Sequence, residues 1–217
     1  KELALLEKYR DQLPVQLFTK QWQPATTIAP DSLRGNLIEA RDLLTEAGWT
    51  IQDGVLKNQM GEVFRLDILL VQGGFDRIIA PYAHNLKKLG IETNYRKVDS
   101  SLYKRRLDSF EFDMVVTSFP SSVSPGNELM NMFHSSSAEM KGSKNLPAIT
   151  DPVVDALVQE IIQAKDREHV VIASRALDRV LLYGEYLVPN WYINVHRVAY
   201  WNKFGIPQTQ PLYYDPI

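Results

Sequence analysis

Apolar and polar positions along this chain follow two periods, one helical and one extended. In NLIEARDLLTEAGW (residues 36–49), Leu37, Ala40, Leu44 and Ala47 recur at helical spacing. Gly48 follows where a helix C-terminus calls for positive φ. TIQDGVLKNQMGE alternates weakly around Asp53-Gly54 and predicts a small hairpin. FRLDILLV (64–71), with few polar breaks, reads as a strand buried in a sheet. Phe75, Ile78, Ile79, Tyr82, Leu86 and Leu89 then form one helical stripe, ended by Gly90. IETNYRKV (91–98) alternates as a strand, Asp99 is the N-cap of a helix carrying Leu102, Tyr103, Leu107 and Phe110, and FDMVVTSF (112–119) is a third strand. The order βαβαβ over 64–119 predicts an α/β fold with an open, mixed sheet flanked by helices.

The flanking regions are less regular. Residues 1–10 read as the end of a helix with Leu3, Leu6 and Tyr9 on one face, and 11–34, with Pro14, Pro24 and Pro30, as a long irregular connection. Residues 134–149 are rich in Ser, Gly, Lys and Asn and predict a surface excursion. Asp151-Pro152 opens a helix with Val154, Leu157, Val158, Ile161 and Ile162 on its apolar face. Asp166 caps another, carrying Val170, Ala173, Leu177, Val180 and Leu181. LVPNWYINVHRVAYW (187–201) alternates like two strands and is strongly aromatic. The opening KELALLEKYR, in mid-helix and without methionine, reads as the start of a fragment. This gives three parts: 1–33, a linker after a helix of a preceding lobe; 34–188, an α/β ligand-binding lobe; and 189–217, strands and a tail returning toward the first lobe.

Composition narrows the function classes. Of 217 residues, 45% are hydrophobic and 23% charged, enough for a real core. Net charge is −2, from 24 basic and 26 acidic side chains, which gives no global attraction to nucleic acid or an anionic membrane. Lys87, Lys88, Arg96, Lys97, Lys104, Arg105 and Arg106 are interleaved with Leu and Tyr and read as solvated helix faces. The absence of cysteine removes disulfides, thiolate nucleophiles and cysteine metal sites. The four histidines show no metal-ligand spacing, and no cofactor is expected.

The most suggestive stretch is SFPSSVSPGNE (118–128), a polar loop stiffened by Pro120 and Pro125 at the carboxyl end of a central strand. Open α/β sheets bind ligands there. It holds no histidine, cysteine or lysine, so hydrogen bonding rather than chemistry is its natural role. His134 beside Ser135–Ser137 lacks a nucleophile elbow. Asp108, Glu111 and Asp113 straddle a helix end and a strand start and read as capping and surface groups. Gln72-Gly73-Gly74 is either an anion-holding turn or simply a tight βα turn. Trp191, Tyr192 and Trp201 either stack on a ligand or fill an interface to further sequence.

ARDLLTEAGW (40–49), NLKKLGIETNYRKVDSSLYKRRLDSFEFDMVV (85–116) and VPNWYINVHRVAYW together resemble extracellular solute-binding proteins of family 5, the peptide receptors of ABC importers. SPGNE with DPVVDAL and ALDRVLLYGEYLVPNWY resembles the YejA-type branch, associated with oligopeptides and microcin C-like peptide antibiotics. The resemblance implies the C-terminal lobe of a type II periplasmic-binding-protein fold. It also implies periplasmic residence, a monomeric receptor without catalysis, an oligopeptide ligand and ABC permease subunits as partners. Thr117, Ser118 and Phe119 would pair their backbone with the peptide. Ser122 stands where the family often keeps an aspartate for the ligand's ammonium, leaving Glu128 as the nearest acid. Ser121, Ser122 and Asn127 would offer neutral hydrogen bonds, and Gln72 and Trp191 complete the expected site. Two rival classes are a hydrolase using the Ser-rich loop and a sensory module borrowing the same fold.

Overall fold

The computed structural model describes residues 1–71, 74–120 and 124–192, and positions 199, 201, 203, 205, 208 and 209. Three strands form the central sheet: β3 (Arg65–Leu70) lies between β4 (Glu92–Lys97) and β5 (Met114–Val115), and both pairings are parallel. Helix α4 (Asp76–Lys88) carries the chain from β3 to β4, and α5 (Ser100–Asp108) returns it from β4 to β5. The βαβαβ order is as the residue pattern predicts. Among the described residues the sheet is wholly parallel. Among the described residues, antiparallel pairing is found in a separate hairpin, β1 (Thr50–Gln52) with β2 (Val55–Lys57), and in one isolated bridge beside it, Lys57 with Val63. The two strands expected in 187–201 fall largely outside the described residues.

Local signals set most of the boundaries. Helix α3 (Leu33–Glu46) begins at Ser32, whose hydroxyl accepts from Gly35 N–H at 3.1 Å, and it gives way to Gly48 at φ 88°. The Asp99 carboxylate accepts from Ser101 and Leu102 N–H, which opens α5 and holds that acid below its ordinary range. Asp151 opens α7 (Pro152–Ile162) by accepting from Val153 and Val154 N–H, and Asp166 opens α8 (Arg167–Tyr183) by accepting from His169 N–H. Gly90 is needed for a different reason. It ends α4 at φ 76°, and a Cβ there would lie 2.7 Å from Leu56 N, which itself donates to Gly90 O.

Two expectations change. FDMVVTSF contributes only two paired residues, because Ile68 and Leu69 face Met114 and Val115 and β3 ends one residue later. At the near end, the Asp113 carboxylate takes the Asp67 N–H at 2.7 Å. The segment 11–34 is not irregular throughout: it contains α2 (Val15–Thr19), with Leu17 fully buried. Its carbonyls are satisfied from α8, where Arg179 donates to Leu17 O at 2.6 Å and the Tyr183 hydroxyl sits 2.9 Å from Lys20 O. These partners are 159 to 167 positions away in sequence and leave no local trace.

The largest core joins both ends of the chain. Leu6, Leu13 and Leu17 pack with Leu129, Val154, Leu157, Val158, Ile161, Ala173, Leu177 and Val180. A second cluster, Leu56, Leu89 and Ile91, is covered by Leu37, Ala40, Leu44 and Trp49 from α3 and its end. A third, Ile68, Leu70 and Ile79, seats α4 on the sheet with Phe75, Met114 and Val116. The excursion at 134–149 is closed by fully buried Asn145, whose amide donates to the carbonyls of His134 and Ile149 and accepts from Ile149 N–H.

Two outcomes follow from this packing. Gly90→Ala meets both a positive φ and a backbone clash, so it should lower stability by about 1–3 kcal/mol; thermal unfolding reads this as a fall of several degrees, and an unchanged midpoint contradicts the assignment. Glu160 accepts from Lys8 at 2.6 Å and from His169 at 3.0 Å, joining the chain's first turns to α7 and α8. The Lys8 hydrogen bond is the main cause holding its carboxyl below the ordinary 4.5. That stabilisation is therefore present above 4.5 and disappears as pH falls through the lowered value. Because both side chains are substantially solvated, Glu160→Gln should cost at most about 1 kcal/mol near neutral pH. Urea midpoints of wild type and variant should converge as pH falls through the lowered Glu160 value.

Candidate functional site

The strand order places the site. From β3 the chain crosses by α4 to β4 on one side, and from β4 it crosses by α5 to β5 on the other. Connections therefore diverge at the carboxyl ends of β3 and β5, leaving a crevice that neither crossover fills. Two segments border it, Gly74 and Phe75 after β3, and Val116 to Pro120 with Ser124 to Asn127 between β5 and α6 (Glu128–Phe133).

Pairing of β5 stops at Val115, opposite Leu69 and one residue before β3 ends, so among the described residues the chain from Val116 onward pairs with no strand. The Tyr103 hydroxyl of α5 approaches Val116 O at 3.4 Å and fixes the end of β5. Thr117 and Ser118 are exposed, and among the described residues Thr117, Ser118 and Phe119 take no backbone hydrogen bond. Phe119 is half-buried against Phe133 of α6, with ring centroids 5.6 Å apart and planes tilted by 32°. The segment is thus pinned at both ends, with free peptide groups between.

Asn127 and Glu128 lie at the start of α6. The Asn127 side chain makes no cap. The Glu128 carboxylate turns back to accept from Gly126 N–H at 3.0 Å, where the helix start favours a negative charge. Trp191 lies against the other loop: its ring stacks on Phe75, with centroids 6.3 Å apart and planes 16° apart. Thr117–Phe119, Asn127 and Glu128 thus belong to the loop after β5, and Trp191 joins the loop after β3. Gln72, Ser121 and Ser122 lie outside the described residues. Phe75, Tyr103 and Phe133 are additions that reasoning from sequence used only as packing residues or passed over. Their signal was an aromatic ring within a few residues of a strand or loop end.

The His134 cluster resolves into helix capping. Its Nδ1 accepts from Ser136 N–H at 3.1 Å and lies 3.0 Å from Ser136 Oγ, while Asp155 Oδ1 is 3.7 Å from the same nitrogen. A proton relay needs its carboxylate and hydroxyl on opposite ring nitrogens. Asp155 is instead bonded to the backbone N–H of Ser135 at 2.7 Å and to its hydroxyl. Two surface depressions lie away from the crevice loops. One, of about 470 Å³, runs between α3 and the end of α4 and is lined by Leu37, Ile38, Ile51 and Leu89 with Arg34, Arg41 and Lys88. The other, of about 390 Å³, lies over Asp67, Asn94, Arg96 and Arg106. Among the described residues no three His, Asp or Glu side chains gather as a metal site, and no helix is long and apolar enough to cross a membrane.

Comparison with known proteins agrees with the fold. A protein of Agrobacterium fabrum named a probable peptide-binding protein, YejA, is 39% identical over 214 residues, 98% of this chain and 35% of that protein. Another from the same species, named the peptidoglycan-binding protein YepA, is 33% identical over 212 residues, 98% of this chain and 34% of that protein. The chain therefore spans about a third of the length of these relatives. The crystal structure of a periplasmic oligopeptide-binding protein of a Thermotoga maritima ABC transporter, bound to mannohexaose, superposes with a TM-score of 0.60 at 25% identity, over 72% of this chain and 31% of that one. The architecture is that of a type II periplasmic-binding-protein lobe. Residues 6–141 match the middle region of bacterial extracellular solute-binding proteins, family 5, and the chain belongs to that family.

Proposed function

We propose that this chain supplies one jaw of a receptor that captures oligopeptides for an ABC importer. The observation that carries the reading is the unpaired backbone of Thr117, Ser118 and Phe119, which continues β5 beyond the end of its neighbour. An extended peptide laid there gains main-chain hydrogen bonds whatever its side chains are, as in other strand-addition complexes. The relative named a probable peptide-binding protein supports the same ligand class.

In this reading residues 34–188 form the ligand-binding lobe, and 189–217 return toward a first lobe that closes on the ligand. Asn127, Ser121, Ser122 and Gln72 offer neutral hydrogen bonds, and Glu128 meets the peptide ammonium. The receptor works as a monomer in the periplasm by binding rather than turnover, without metal or cofactor. It delivers its ligand to permease subunits in the membrane, and microcin C-like peptides are within its range.

Mass spectrometry of small molecules retained by the full-length protein tests the ligand class. Peptides, free or attached to amino sugars, are expected; sugars alone or metal chelates sink the reading. Glu128→Gln tests the ammonium contact. A charge-assisted hydrogen bond is worth about 1.5–3 kcal/mol, so affinity for a peptide with a free N-terminus should fall about tenfold or more. Affinity for the N-acetylated peptide should not change. Equal behaviour of the two peptides removes Glu128 from the site and leaves the strand-addition reading standing.

A further inference from the structure

Neutral hydrogen bonding does not account for Trp191. This large apolar ring is 60% exposed at the edge of the crevice. Phe75 flanks one of its faces in an offset, nearly parallel stack, with centroids 6.3 Å and planes 16° apart. Phe75 rests in turn on Ile68, Leu70 and Ile79, so the stack stands on the end of the central strand. A surface tryptophan without such backing samples several rotamers. A backed one is already oriented, and a ligand meeting it loses less entropy on binding.

The surroundings sort the ligand group further. Gly74 and Phe75, Val116 through Pro120, Ser124 through Asn127, and Leu187 through Tyr192 contain no charged side chain. An ionic group gains no counter-charge from these residues. A flat, weakly polar ring gains dispersion and quadrupole contact with the indole. We infer that the open face of Trp191 is a stacking platform for a flat ring face on the ligand, an inference that rests on the ligand-binding reading above and narrows it. Two sources present that chemistry: an aromatic side chain of a peptide, and the pyranose ring of an amino sugar joined to one.

Isothermal titration of the full-length protein and its Trp191→Ala variant separates the cases with three probes. These are tetra-alanine, the same peptide with one phenylalanine, and a disaccharide–tetrapeptide muropeptide. Trp191→Ala should weaken at least one ring-bearing probe about five- to tenfold, the scale of one aromatic stack, and change tetra-alanine less than about twofold. Loss confined to the phenylalanine peptide identifies an aromatic side chain as the partner; loss confined to the muropeptide identifies the sugar ring. Equal loss on all three probes, or none on any, overturns the platform. Should wild type bind no peptide yet bind mannohexaose in a Trp191-dependent way, the peptide reading falls and the platform stands. If no probe depends on Trp191, the platform falls whatever else binds.

Discussion

Strand β3 is flanked by parallel partners on both sides, and its last three residues, Ile68, Leu69 and Leu70, are between 2% and 4% exposed. Parallel pairing forces each connection to cross the sheet, which is why α4 and α5 exist where they do. Burial of β3 fixes its register, because a slip of one residue would turn Ile68 and Leu70 away from Ile79. Once that strand is set, the ends of β3 and β5 lie side by side, and the two loops that leave them become neighbours. The site is a consequence of this arrangement rather than of any one motif.

The helical part solves a different problem. Short helices such as α1 (Glu2–Leu6) and α2 are unstable alone, since nucleation costs more than a turn or two of hydrogen bonds returns. They persist because Leu6 and Leu17 are fully buried in the α7–α8 core and because Arg179 and Tyr183 satisfy the carbonyls at the end of α2. The chain's beginning is thereby tied to a helix that ends at residue 183, and α1, α2, α6, α7 and α8 share one core.

This division explains what the residue pattern could disclose. The βαβαβ order, the hairpin at Asp53-Gly54 and the caps at Asp99, Asp151 and Asp166 rest on contacts within a few residues, and all were legible. Helix α2 and the short span of β5 were not, because both are decided by distant partners: Arg179 for one, the end of β3 at Leu70 for the other. The site divides the same way. The loop after β5 could be located from strand order alone. The stack of Trp191 on Phe75 joins residues more than a hundred positions apart, so no local window contains it.

The short β5 and the sparsely charged loops bear on selectivity together. A ligand held by main-chain pairing is recognised through atoms every peptide has, so sequence preference must come from elsewhere. Fixed charges would supply it, but Glu128, the acid of the loop after β5, is proposed for an ammonium that every peptide with a free N-terminus carries. A ring contact of modest strength, repaid only by ligands that carry a flat face, adds preference without demanding a particular residue. Such a surface favours a class of ligands over a single one: extended backbone for affinity, one stacked ring for discrimination, and little penalty for the side chains between them.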